Sequence, residues 1–191
     1  LAPELARVAE GAADVLFAVT DAGDDAVLLR VLAVGVLAGR GARILGVDTV
    51  VAPPGVEAVA LNDAMAQADY VFVAVPLTSQ SLHLIGAAQL AKMKPSAILI
   101  NSTRGGVVDD AALVEALKNG TIRGAGLDVF ENEPRLNPGF LEMKNVTLAP
   151  HIGSSTEATR ARMAMTAAKN LVAALTGGVP PNLLNPAAGK N

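Results

Sequence analysis

Short apolar runs, each ending at a polar or conformationally special residue, recur along this chain with stretches of helical character between them. The runs lie at 42–47, 70–75, 97–101, 122–129 and 146–149, and the intervening patterns predict helices at 61–68, 86–93, 109–118 and 154–175. Strands alternating with helices at this spacing predict an α/β fold with a doubly wound, Rossmann-like parallel sheet. A helix-length crossover returns the chain to the same end before each new strand. A helix at 3–11, a strand at 13–20, a turn at 21–25 and a helix at 26–38, stopped by Gly39 and Gly41, precede the series. Ligands of such sheets sit outside the carboxyl ends of the strands, and Asp48, Pro76, Arg104, Asp128 and His151 all fall at or just past those ends.

The composition agrees. Hydrophobic residues make up 51% of the chain but aromatic ones only 3%, so the core must be built from Ala, Val, Leu and Ile, as suits a sheet covered by helices. A net charge of −3 without basic runs argues against nucleic acid or an anionic membrane as the main partner. With no cysteine and two histidines, neither disulfides nor a metal site is expected. No uninterrupted apolar run reaches a membrane-spanning length, and Glu4, Arg7, Glu10 and Asp14 make the start unlike a signal peptide, so the expected compartment is the cytoplasm. The chain begins with Leu1 rather than Met, and it is expected to be less than the gene product.

Three phrases carry the chemistry: Asn101-Ser102-Thr103-Arg104-Gly105-Gly106, Asp128-Val129-Phe130-Glu131-Asn132-Glu133-Pro134, and Pro150-His151-Ile152-Gly153-Ser154. Each places a reactive side chain just beyond an apolar run. A guanidinium at Arg104 can clamp a carboxylate bidentately and polarise an adjacent carbonyl. An imidazole at His151 can give a proton to a carbonyl oxygen as hydride arrives and take it back in reverse. A carboxylate in the second phrase, Glu131 or Glu133, would raise the basicity of that imidazole. The trio fits reduction of a 2-oxo acid. Asp48, ending its strand, can accept hydrogen bonds from ribose hydroxyls and would repel a 2′-phosphate, favouring NAD over NADP. Asp109 and Asp110 open a helix, where carboxylates cap N–H groups, and are expected to do that rather than hold a metal.

Residues 37–186 resemble the nucleotide-binding domain of the D-isomer-specific 2-hydroxy acid dehydrogenases. The matching words are "PLTSQSLHLIG", "MKPSAILINSTRGGVVDDAALVEALKNGTIRGAGLDVFENEP", "NVTLAPHIGSSTEATR" and "PPNLLNP". The resemblance implies catalytic roles for Arg104, Glu133 and His151, the Glu before Pro being the histidine's partner. It leaves Glu131 solvated and His83 to packing or helix capping. It implies cofactor contacts from Val75, Pro76, Ser102, Thr103, Asp128 (to the nicotinamide carboxamide), Gly153 and Ser154. It further implies NAD as cofactor, a small 2-oxo or 2-hydroxy acid such as glyoxylate or hydroxypyruvate as substrate, and a homodimer. The alternatives are an NAD(H)-sensing module like the corepressors on this fold, or an inactive remnant.

One part of the pattern is missing. Residues 1–33 look like a fragment of the family's substrate-side α/β domain, 34–172 like the NAD-binding domain, and 173–191 like a tail returning to the substrate domain. Gly35, Gly39, Gly41 and Gly46 do not space as G-x-G-x-x-G, and Gly39 and Gly41 precede a strand where the phosphate-binding turn must follow one. The expectation is that a segment near 28–36 is absent, because loss of the sheet's first strand would leave an unpaired edge at its centre.

Overall fold

The computed structural model of the chain describes residues 14–18, 42–47 and 54–185. The helices expected at 3–11 and 26–38, Gly35, Gly39, Gly41 and Asp48 lie outside the described residues. The described chain divides into two compact units after His151.

The first unit is built on a parallel sheet. Its strands are β1 (Asp14–Ala18), β2 (Arg43–Val47), β3 (Glu57–Ala58), β4 (Tyr70–Val73), β5 (Ile98–Asn101), β6 (Gly124–Leu127) and β7 (Val146–Leu148). They stand in the order β3-β2-β1-β4-β5-β6-β7, and each pairs in parallel with its neighbours. The chain builds outward from β1 to β3, crosses back to lay β4 against the other side of β1, then builds outward again. This reversal between β1 and β4 is the topological switch point of a doubly wound sheet.

Residues 14–18, expected as part of a substrate-side fragment, therefore occupy the centre of the sheet. Val15 pairs with Ile44 on one side and Tyr70 on the other, and Ala18 with Val47 and Val73. The unpaired central edge expected from loss of a first strand does not arise, because β1 fills that place.

Helices α1 (Leu61–Gln67), α2 (Ala87–Leu90) and α3 (Asp110–Lys118) follow β3, β4 and β5. In α3 the Asp109 side chain accepts a hydrogen bond from the Ala112 N–H, Lys118 stands in the last turn, and Leu113, Val114, Ala116 and Leu117 are buried. α2 is shorter than its expected 86–93, because after Leu90 the bonds tighten to i→i−3, Lys92 N–H donating to the Gln89 carbonyl and Met93 N–H to that of Leu90. Leu90 and Met93 are still buried there. A 3₁₀ turn at Pro138–Glu142, with Asn137 capping Gly139, drives Phe140 into the core, where its ring lies 6.4 Å from that of Phe130.

The larger of two buried clusters joins Leu45, Val71, Val73, Leu99 and Leu127 from the sheet, Ala64 and Met65 from α1, and Leu113 and Leu117 from α3, and the smaller holds Ala42 and Ile44. Alternation along β4 and β5 buries Val71, Val73, Leu99 and Asn101 more fully than the residues between them.

The second unit contains helix α4 (Glu157–Leu175). Its start is set by Thr156, whose hydroxyl accepts from the Thr159 N–H, so it begins later than the expected 154. Past its end Gly177 takes φ +76°, and Asn170 exchanges hydrogen bonds with Asn182, folding the following segment back along the helix. No helix among the described residues is long and apolar enough to cross a membrane.

Leu99 is fully buried at the middle of β5. Leu99→Ala is expected to lower unfolding stability by about 2–5 kcal/mol, measured by urea denaturation; a loss well below that range would show that the sheet closes over the gap.

Candidate active site

Parallel pairing brings the carboxyl ends of β4, β5, β6 and β7 to one edge, and the loops leaving them are locked by short polar contacts. After β4, buried Ser81 accepts a hydrogen bond from the Thr78 N–H at 2.8 Å and donates to the Pro76 carbonyl at 2.6 Å, fixing the turn that leaves Val75 and Pro76. After β5, the side chain of buried Asn101 accepts from the N–H and hydroxyl of Thr103, at 3.2 and 3.1 Å, and donates to the Arg104 carbonyl at 3.1 Å. One side-chain amide thus shapes the whole Ser102-Thr103-Arg104 turn. An asparagine closing a strand before Ser-Thr is the local signal for such a turn.

These two loops are joined. His83 N–H donates to the Gly106 carbonyl at 2.7 Å, Ile85 N–H to Val107 at 3.1 Å, and Asp109 N–H to Ile85 at 3.0 Å, forming a small parallel bridge. The loop after β6 then presses on the Arg104 turn. A Cβ added at Gly105 would lie 1.8 Å from the Phe130 carbonyl oxygen and 2.6 Å from the Glu131 nitrogen, so only glycine permits the two backbones to pass.

On this frame Glu133 and His151 meet. His151 Nδ1 lies 2.7 Å from Glu133 Oε2, and Glu133 Oε1 accepts the Phe130 N–H at 3.0 Å. The carboxylate is thus held by its own loop as well as by the imidazole, and it presents a charged acceptor to the ring's Nδ1. The hydrogen bond from His151, partly offset by desolvation and helped by the Phe130 N–H, holds the Glu133 carboxyl below its ordinary value. His151 has φ +53°, a left-handed conformation that non-glycine residues adopt at a cost.

Arg104 is exposed, and its guanidinium turns back on its own loop, with Nη1 donating to the Thr103 carbonyl at 2.6 Å. The structure brings its turn against the 130–131 segment but does not pair its side chain with Glu133 or His151. Val75 is buried and Pro76 half-buried at the end of β4; Ser102 is exposed, and Thr103 and Asp128 are half-buried. Gly153 and Ser154 belong to the second unit.

Two expectations need correction. Glu131 is exposed as expected, but it is paired, and its partner His83 neither packs in the core nor caps a helix: His83 Nε2 lies 2.8 Å from Glu131 Oε1. Asp109 caps α3 as expected, but Asp110 is buried and accepts the Glu131 N–H at 3.1 Å. Burial is what raises the Asp110 carboxyl above its ordinary value.

The model of the D-isomer specific 2-hydroxyacid dehydrogenase NAD binding domain matches residues 32–153. The chain belongs to that family. It is 52% identical over 131 residues to a glyoxylate reductase of Thermococcus litoralis, covering 69% of this chain and 40% of the relative. It is 54% identical over 127 residues to a glyoxylate/hydroxypyruvate reductase B of Serratia proteamaculans, covering 66% and 39%. Among solved structures it is similar to a glyoxylate reductase from Paecilomyes thermophila, with a TM-score of 0.70 and 32% identity, covering 83% of this chain and 48% of that one. The chain spans about two fifths of the length of these curated relatives.

Gly105→Ala forces apart two backbones that no rotamer change can relieve, and is expected to cost about 1–3 kcal/mol, read from the thermal melt; an unshifted melt would mean that the loops separate freely. Because the folded-state value of Glu133 is depressed, its stabilisation is present above its ordinary value of 4.5 and lost as pH falls through the folded value. Glu133→Gln should therefore be less stable than the parent at pH 6 and converge with it on acidification, in denaturation curves recorded across that range.

Proposed function

We propose that this chain carries the acid/base and carboxylate-binding residues of an NAD-dependent 2-oxo acid reductase acting on glyoxylate or hydroxypyruvate. The observation that carries the reading is the His151–Glu133 contact of 2.7 Å at the carboxyl edge of a parallel sheet, beside the Arg104 turn. His151 donates the proton to the carbonyl oxygen of the 2-oxo acid from the ring nitrogen that Glu133 does not touch. Glu133 holds the ring's orientation and balances the charge it carries before transfer. Arg104 swings from the Thr103 carbonyl to bind the substrate carboxylate bidentately and polarise its carbonyl.

The residues at the ends of β4, β5 and β6 fit the nicotinamide half of the cofactor. Val75 and Pro76 offer an apolar wall, Ser102 and Thr103 a turn with polar groups, and Asp128 an acceptor for the carboxamide; Asp48 would bind the ribose. When bound, NADH supplies the hydride that C2 receives. The pyrophosphate end fits less well. β1 stands at the centre of the sheet, but the sequence after it, Val19-Thr20-Asp21-Ala22-Gly23-Asp24-Asp25, holds a single glycine and three carboxylates in place of a glycine-rich turn.

The domain division at 34–172, a homodimer and a cytoplasmic setting are part of the same proposal. They rest on the family's organisation and on the 32–153 match. Loss of NADH absorbance with glyoxylate or hydroxypyruvate tests it directly. His151→Gln is expected to lower kcat by roughly 10²–10⁴-fold while leaving NADH binding in place. Near-normal turnover in that variant, or no turnover by the parent protein, would overturn the reading.

A further inference from the structure

The described residues include two non-glycine positions with positive φ, and both are histidines, His83 at +51° and His151 at +53°. Each is paired with a glutamate of one loop, His83 with Glu131 and His151 with Glu133, and only Asn132 separates those glutamates. We propose that His83 is a positioning residue: by holding Glu131 it pins the loop after β6 across the Arg104 turn and so sets Glu133 against His151.

An exposed ion pair ordinarily does little, because solvent screens it and both side chains lose freedom. This one differs in how its partners are anchored. Glu131 is fixed twice, through its N–H to the Asp110 carboxylate at 3.1 Å and through its own carboxylate to His83 at 2.8 Å. Asp110 stands in the first turn of α3 and is buried. His83 in turn is tied by its N–H to Gly106 at 2.7 Å, within the bridge that joins the loops after β4 and β5. A shift of Glu131 must therefore pull against α3 and against that bridge. The adjacent Phe130 N–H is the one that Glu133 accepts, and the Phe130 carbonyl is the atom packed on Gly105. Glu131 thus sits directly between Phe130, whose N–H Glu133 accepts and whose carbonyl packs on Gly105, and the stretch that carries Glu133 to His151.

The groups facing His83 are all acidic. The hydrogen bond that Glu131 accepts from the ring, with smaller contributions from the charges of Glu131, Asp109 and Asp110, raises the imidazole above its ordinary 6.5 against a partial desolvation. The hold is therefore complete below 6.5 and fades as pH rises through the folded value.

For its bearing on catalysis the inference rests on the acid/base reading of His151 and Glu133, but its test needs no substrate. His83→Asn keeps a residue type that tolerates the left-handed backbone while removing the imidazole. Glu131→Gln changes only the side-chain charge and leaves the N–H bonded to Asp110. NMR on the parent chain and both variants would follow the Phe130 amide exchange rate and the titration of the Glu133 carboxyl. Both variants are expected to speed Phe130 exchange about tenfold, the loss of one charge-assisted hydrogen bond, and to move the Glu133 midpoint up toward 4.5. Unchanged exchange and titration in either variant would overturn the positioning role. His151→Gln retaining turnover would instead sink the acid/base reading and leave this result standing.

Discussion

Because each strand pairs in parallel with its neighbours, every connection must climb back over the sheet before the next strand begins, and every strand delivers its carboxyl end to one edge. The placement of the candidate site follows from that constraint. Arg104, Glu133 and His151 come from three separate loops, yet they share an edge because β5, β6 and β7 cannot end anywhere else. The sheet fixes only the edge; the loops need their own ties. Asn101, Ser81 and the bridge from His83 to Asp109 supply these as backbone and buried side-chain bonds, which hold position better than exposed charges do.

Electrostatics then refine what the backbone has placed. The loop after β6 carries carboxylates at 128, 131 and 133, and α3 adds Asp109 and Asp110 beside it. Such a concentration of negative charge needs compensation. Two imidazoles provide it, each at a backbone conformation few side chains tolerate, and Asp110 meets its own share through burial against the Glu131 N–H. His83 in particular answers to three carboxylates at once, those of Glu131, Asp109 and Asp110.

The strand and helix series from residue 42 onward was legible because apolar runs and helical periodicity are local properties. β3 was not: a two-residue edge strand, Glu57–Ala58, carries no apolar run. Nor was the turn at Pro138–Glu142, whose Pro-Gly start reads as loop although Phe140 is core. The run at 13–20 was visible as a strand, but its seat between β2 and β4 was not, since the order of pairing depends on contacts distant in sequence. For the site, Arg104 and His151 stood out by their position after strands. The preference for Glu133 over Glu131 came only with the family resemblance. The His83–Glu131 pair was out of reach because it joins residues 48 positions apart through the packing of two loops.

The seat of β1 also bears on how the sheet is assembled. It joins β2 and β3 on one side to β4 through β7 on the other, and Val15 must find both Ile44 and Tyr70. No hairpin brings these segments together, so each pairing closes a long loop and loses that entropy before any contact is made. The strands from β4 onward can add in chain order, each beside its predecessor, whereas the seam at β1 waits for the most distant encounter. Until that seam closes, β4 presents an open edge to whatever strand reaches it first, which makes the half-assembled sheet the species most exposed to mispairing between chains.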